Sequence, residues 1–98
     1  MAREGYPDHD VFELRLALDE AIANAIHHGN QDDPAKLVRV ECDVDAERVL
    51  VDVRDEGPGF DPAAAEGGGL ALMRLCVSWV RPSDAGGGVT LCKYRSVL

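Results

Sequence analysis

Ninety-eight residues are enough for one domain, spanning 1–98, near the lower end of what builds its own core. A hydrophobic content of 46% excludes a disordered chain, and with few aromatics the core must be filled by aliphatic side chains. The formal net charge of −8 argues against nucleic acid as a partner, since such a binder needs a basic patch to displace counterions from phosphates.

A nucleotide ligand remains compatible with that charge if a divalent cation, helix termini or backbone N–H groups carry the phosphates. The polar start Met1-Ala2-Arg3-Glu4-Gly5-Tyr6 has no apolar signal region, and no apolar run is long enough for a membrane span. Cys42, Cys76 and Cys92 are odd in number and lack metal-ligand spacing, so they read as buried, reduced thiols of a cytoplasmic protein.

The first helix is marked by Asp10 as its cap, with Glu13 three residues on completing a capping box. Val11, Leu14, Leu18, Ala21, Ile22 and Ala25 follow on one stripe at helical spacing, while Glu13, Glu20, Asn24 and His27 share another face. His28-Gly29 should end the helix, with Gly29 in the left-handed cap position. Asn30-Gln31-Asp32-Asp33-Pro34 has the composition of a loop.

Val38, Val40, Cys42 and Val44 alternate with charged residues, the pattern of a half-buried strand. Asp45-Ala46-Glu47-Arg48 turns the chain, and Val49, Val51 and Val53 alternate again, so the two strands should pair as an antiparallel hairpin. Asp61 to Gly69 is a small-residue loop. A second helix places Leu70, Met73, Val77 and Val80 on one stripe, and after the turn at Pro82 to Gly87 a closing strand covers Val89 to Arg95. This order implies an α+β fold with helices on one face of an antiparallel sheet.

Two stretches carry chemistry. Glu20 and Asn24 lie four apart, so a carboxylate and an amide share one helical face. Val51-Asp52-Val53-Arg54-Asp55-Glu56-Gly57-Pro58-Gly59 ends a strand in an Asp followed by two glycines, where backbone can approach a flat ligand with no Cβ in between. Alone, the first is commonly solvated surface and the second a plain turn; together and in this order they suggest a Mg-nucleotide site. His27 and His28 read as helix-end residues interacting with the dipole. A zinc site is poorly supported, because no Cys or third His lies at ligand spacing.

Leu14 to Asn30, Asp55-Glu56-Gly57-Pro58-Gly59-Phe60-Asp61-Pro62 and Gly67-Gly68-Gly69-Leu70-Ala71-Leu72-Met73-Arg74 resemble, in that order, three motifs of the GHKL ATPase superfamily, and within it of the anti-sigma factor serine/threonine kinases. Val89-Thr90-Leu91-Cys92-Lys93 is similar to the family's terminal strand. The resemblance implies a histidine kinase-like ATPase domain: a two-layer sandwich with helices on one face of a mixed, mostly antiparallel sheet. It implies that Asn24 is the Mg²⁺ ligand, that Glu20 orients or deprotonates the attacking hydroxyl, and that Asp55 accepts a hydrogen bond from the adenine amino group. Gly57 and Gly59 would let backbone pass the base, and Gly67, Gly68, Gly69 and Leu70 would offer N–H groups to phosphate.

Against that pattern the chain is short in two places. About nine residues precede the motif helix where the family has a strand and a helix, which would leave a sheet edge to be covered by a homodimer or by strand exchange. Eight residues separate Phe60 from Gly69, and no Lys or Arg occurs between Arg54 and Arg74, so the ATP lid is short and uncharged. Two functions follow from the resemblance. One is a Mg-ATP-dependent serine/threonine kinase that binds a sigma factor and phosphorylates an anti-sigma factor antagonist. The other is a non-catalytic nucleotide-binding or partner-docking module of the same fold.

Overall fold

The computed structural model describes residues 5–57, 68–83 and 87–97, with the backbone alone at 68–70. Helix α1 spans Asp8–Asn24 and widens into a π-helical turn, Ala25–Gly29. Strands β1 (Arg39–Val44) and β2 (Arg48–Arg54) form the expected hairpin. Helix α2 (Gly68–Cys76) is followed by β3 (Trp79–Pro82) and β4 (Gly88–Tyr94). The sheet order is β1-β2-β4-β3, and all three pairings are antiparallel. This is the α+β arrangement the element order implied.

The core follows from period-two alternation on the two central strands. Val49, Val51 and Val53 point toward the helices and face Lys93, Leu91 and Val89 in register. Leu14, Ala17 and Ala21 of α1, Ala25 of the π-helical turn and Met73 of α2 close over them, all buried. Each fully buried Val, Leu or Met contributes about 1.5–3 kcal/mol relative to exposure. The alanines along α1 have no bulk to hold the helix away from the valines beneath.

Five expectations are corrected. Asp10 does not cap α1, because the helix begins at Asp8 behind Pro7 and shows no side-chain cap. Asp10 lies within the first turn, fully buried, and accepts hydrogen bonds from the Ser96 N–H (2.7 Å) and hydroxyl (2.5 Å). Burial works to raise its pKa, but those bonds and the charges of Lys93 and His9 outweigh it and hold the carboxyl below its ordinary 3.8. Lys93, itself buried on the helix side of β4, donates to the Cys76 carbonyl at 2.8 Å and stands 3.9 Å from both Asp10 and Glu13. The cation is thus compensated from two sides.

Gly29 is not in the left-handed region; Gln31 and Asp32 are, at φ 54° and 58°. The helix instead ends through a wide turn in which the Asn30 N–H reaches back to the Ala25 carbonyl at 2.8 Å. Strand β1 is not half-buried: Val40 and Cys42 sit opposite Val53 and Val51 yet remain exposed, because neither helix reaches over this edge. Cys42 is therefore an exposed thiol, while Cys76 and Cys92 are buried as expected. Finally, α2 stops at Cys76, so Val77 and Val80 are not on it, and Val80 belongs to a strand paired with Leu91.

Candidate functional site

The end of β2 and the end of the first helix converge. Asp55 directly follows β2, and its N–H donates to the Gly87 carbonyl at 3.1 Å, which ties it to the segment entering β4. Its carboxylate accepts the Gly57 N–H at 2.8 Å, a short loop that bends the chain back toward α1. There the carboxylate meets bare backbone. A Cβ placed on Gly29 would stand 2.0 Å from Asp55 Oδ2, and one on Gly87 would stand 2.0 Å from Oδ1. A Cβ on Gly57 would collide with the Gly29 carbonyl at 2.0 Å. Gly29 is thus required by close approach and not by a left-handed conformation.

Asn30 holds the convergence together. Only 2% exposed, it accepts the Glu56 N–H on Oδ1 at 2.7 Å and donates from Nδ2 to the Leu37 carbonyl at 3.1 Å. Leu37 N–H returns a bond to the Glu56 carboxylate. One buried amide thereby joins the helix end, the approach to β1 and the loop that carries Asp55. Composition placed Asn30 in a loop; the hint of more was its place at the end of the Leu14 to Asn30 stretch that resembles the first motif.

Glu20 and Asn24 share a face of α1 as expected, both half-buried, about two and a half and one and a half turns before Gly29. Gly68, Gly69 and Leu70 form the first turn of α2, whose leading N–H groups have no partners within the helix. Gly59 and Gly67, also expected at the site, lie outside the described residues, as does most of the short loop between Phe60 and Gly69. His27 and His28 are exposed at the helix end, and His27 Nδ1 lies 2.5 Å from Asp32 Oδ1, a contact local to the turn.

A second polar cluster sits on the other side of the sheet. Thr90 donates to Asp52 at 2.9 Å, and Asp52 also accepts from Arg54 and Ser83. Burial works to raise the Asp52 pKa, but these three bonds prevail and keep it below 3.8. Thr90 alternates with the core-facing Val89 and Leu91, so its hydroxyl is committed to Asp52 on the outer face and is turned away from Asp55. The segment beside Asp55 offers glycine instead. Gly88 has φ +113°, and a Cβ there would meet the Val53 carbonyl at 1.9 Å.

Comparison with known proteins bears on this geometry. Residues 1–93 match the family model described as the histidine kinase-like ATPase domain. The chain is similar to the serine-protein kinase RsbW of Bacillus velezensis (31% identity, covering 95% of this chain and 70% of that protein) and to that of Bacillus subtilis (30%, with the same coverage). It is also similar to an anti-sigma F factor of Oceanobacillus iheyensis, 32% identical over 52% of this chain and 35% of that protein. The alignment to the kinases runs over 112 residues, longer than the 98 of this chain, so those relatives carry residues within the matched span that this chain lacks. No described helix is long and apolar enough to cross a membrane.

Proposed function

Because the chain belongs to the histidine kinase-like ATPase family, in the branch of the anti-sigma factor kinases, we propose that it binds Mg-ATP, holds a sigma factor, and phosphorylates a serine or threonine of an antagonist protein. The observation that carries the nucleotide reading is the Asp55 carboxylate set against Gly29, Gly57 and Gly87, three neighbours that present backbone and no side chain of their own. Asp55 accepts the hydrogen bond of the adenine amino group. The N–H groups of Gly68, Gly69 and Leu70 receive phosphate, consistent with anion binding at a helix N-terminus.

The donor set on α1 suits Mg²⁺: the Asn24 amide oxygen is a hard ligand, one turn from a second oxygen donor on Glu20. When bound, the ion neutralises charge on the phosphates. Glu20 holds and accepts the proton of the attacking hydroxyl, and Asn24 keeps the phosphate end of the nucleotide close to it. The setting is cytoplasmic, and the exposed β1 edge is the place where two copies would join.

A second reading, a nucleotide-binding regulator without useful catalysis, is favoured by the absence of any Lys or Arg between Arg54 and Arg74. A cation at the transferring phosphoryl group is worth ~10³–10⁵ in rate. Calorimetric titration with Mg-ATP and Mg-ADP, repeated on Asp55→Asn, tests binding: heat in the wild type and weaker binding in the variant are expected, and no heat in any titration refutes the nucleotide site. Phosphate transfer to an antagonist, abolished in Glu20→Ala, separates the two readings. Equal slow transfer by both proteins would leave the binding module.

A further inference from the structure

We infer that Gly29 and Gly87 are positioning residues that set the orientation of the Asp55 carboxylate and thereby make the site selective for a 6-amino over a 6-oxo purine. This rests on the nucleotide reading above and adds to it the two residues that set base selectivity.

The two glycines come from different elements and press on different oxygens. A methyl on Gly29 would overlap Oδ2 at 2.0 Å and Cγ at 2.2 Å; one on Gly87 would overlap Oδ1 at 2.0 Å and Cγ at 2.9 Å. Between them the Gly57 N–H fixes Oδ1 at 2.8 Å, and the Asp55 N–H fixes the backbone to Gly87. The carboxylate is therefore held by contact on two sides and by one hydrogen bond from Gly57, while the backbone that carries it is tied to Gly87. The atoms an added methyl would strike first belong to the carboxylate itself, which would have to swing to another rotamer.

Conformation does not demand glycine at either place. Gly29 and Gly87 are outside the left-handed region, unlike Gly88. Alanine at 29 or 87 thus isolates the steric effect, with no backbone penalty of the kind expected at 88. A carboxylate acceptor aimed at position 6 rewards an amino donor and faces lone pairs of an oxo group. Discrimination of that type comes from a buried acceptor left unpaired and repelled. Once the acceptor swings away, both purines should bind alike.

The test is calorimetric titration of wild type, Gly87→Ala, Gly29→Ala, Asp55→Ala and Asp55→Ala/Gly87→Ala with Mg-ATP and with the magnesium complex of inosine triphosphate. Loss of a hydrogen bond to a charged acceptor predicts Mg-ATP affinity falling about 10- to 100-fold in either glycine variant. Inosine triphosphate affinity should hold, so the ratio of the two collapses toward one. In the Asp55→Ala background, Gly87→Ala should cost little further, because the carboxylate is gone and only the 3.3 Å approach to the residue 55 carbonyl remains. That double variant, with circular dichroism, keeps the test readable if the single one folds poorly. An unchanged ratio in the glycine variants, or equal loss for both nucleotides, overturns the inference while the nucleotide site stands. Absence of Mg-ATP binding in the wild type overturns the nucleotide reading itself, and the inference with it.

Discussion

Replacing Asn30 by alanine removes a buried amide that makes two hydrogen bonds, to the Glu56 N–H and from Nδ2 to the Leu37 carbonyl. Each such bond is worth about 0.5–1.5 kcal/mol net, and a buried group left unpaired adds to the loss, so about 2–3 kcal/mol is expected. In a domain of this length that lowers the melting temperature by roughly 10–20 °C. The effect should reach function too, since Glu56 follows Asp55 directly and its loop would be released. Asn30→Asp keeps the acceptor for Glu56 but loses the donor to Leu37 and adds a charge beside the Glu56 carboxylate, so it cannot restore the wild type. Thermal unfolding by circular dichroism, with Mg-ATP titration of the same proteins, reads both effects. If Asn30→Ala melts within about 3 °C of wild type, the amide is not the fastener described.

Two further outcomes are expected. Asp10 and Asp52 both have folded-state pKa values below the ordinary 3.8, so their contribution is complete above that value and is lost as pH falls through the lowered folded values. Urea midpoints should drop below about pH 4, and Asp10→Asn should flatten that decline; an unaltered slope would show that Asp10 takes no part in it. Of the three thiols, Cys42 alone is exposed, while burial pushes the Cys92 thiol up. A disulfide reagent should therefore show one fast equivalent per folded chain, absent in Cys42→Ser, and two fast equivalents would contradict the burial of Cys76 or Cys92.

What the sequence disclosed, and what it hid, divides by range. α1, the hairpin and β4 were legible because their apolar periods are local properties of the chain. The motif pair Glu20/Asn24 and Asp55/Gly57 was legible because each is a short pattern. β3 was hidden: four residues are too few to establish alternation, and Val80 happens to continue the helical spacing of Met73 and Val77. Asp10 looked like a cap because its partner, Ser96, is 86 residues away. Gly29 looked like a left-handed cap for a similar reason, since the carboxylate that requires it arrives from another strand. The exposure of Val40 and Cys42 depended on how far the helices reach, which no alternation encodes.

The position of β4 has a consequence for how the chain acquires its structure. The last strand in sequence is an inner one, lying between β2 and β3, so the sheet cannot close until the C-terminal segment is available. During synthesis the β1–β2 hairpin can form early, but its valine face and α1 have no Leu91 to pack against. A ribosome-bound or truncated chain ending before Gly88 would thus leave an apolar strand and an open edge, the species most prone to aggregate. Folding must await a long-range pairing and should be slow for a chain of this size.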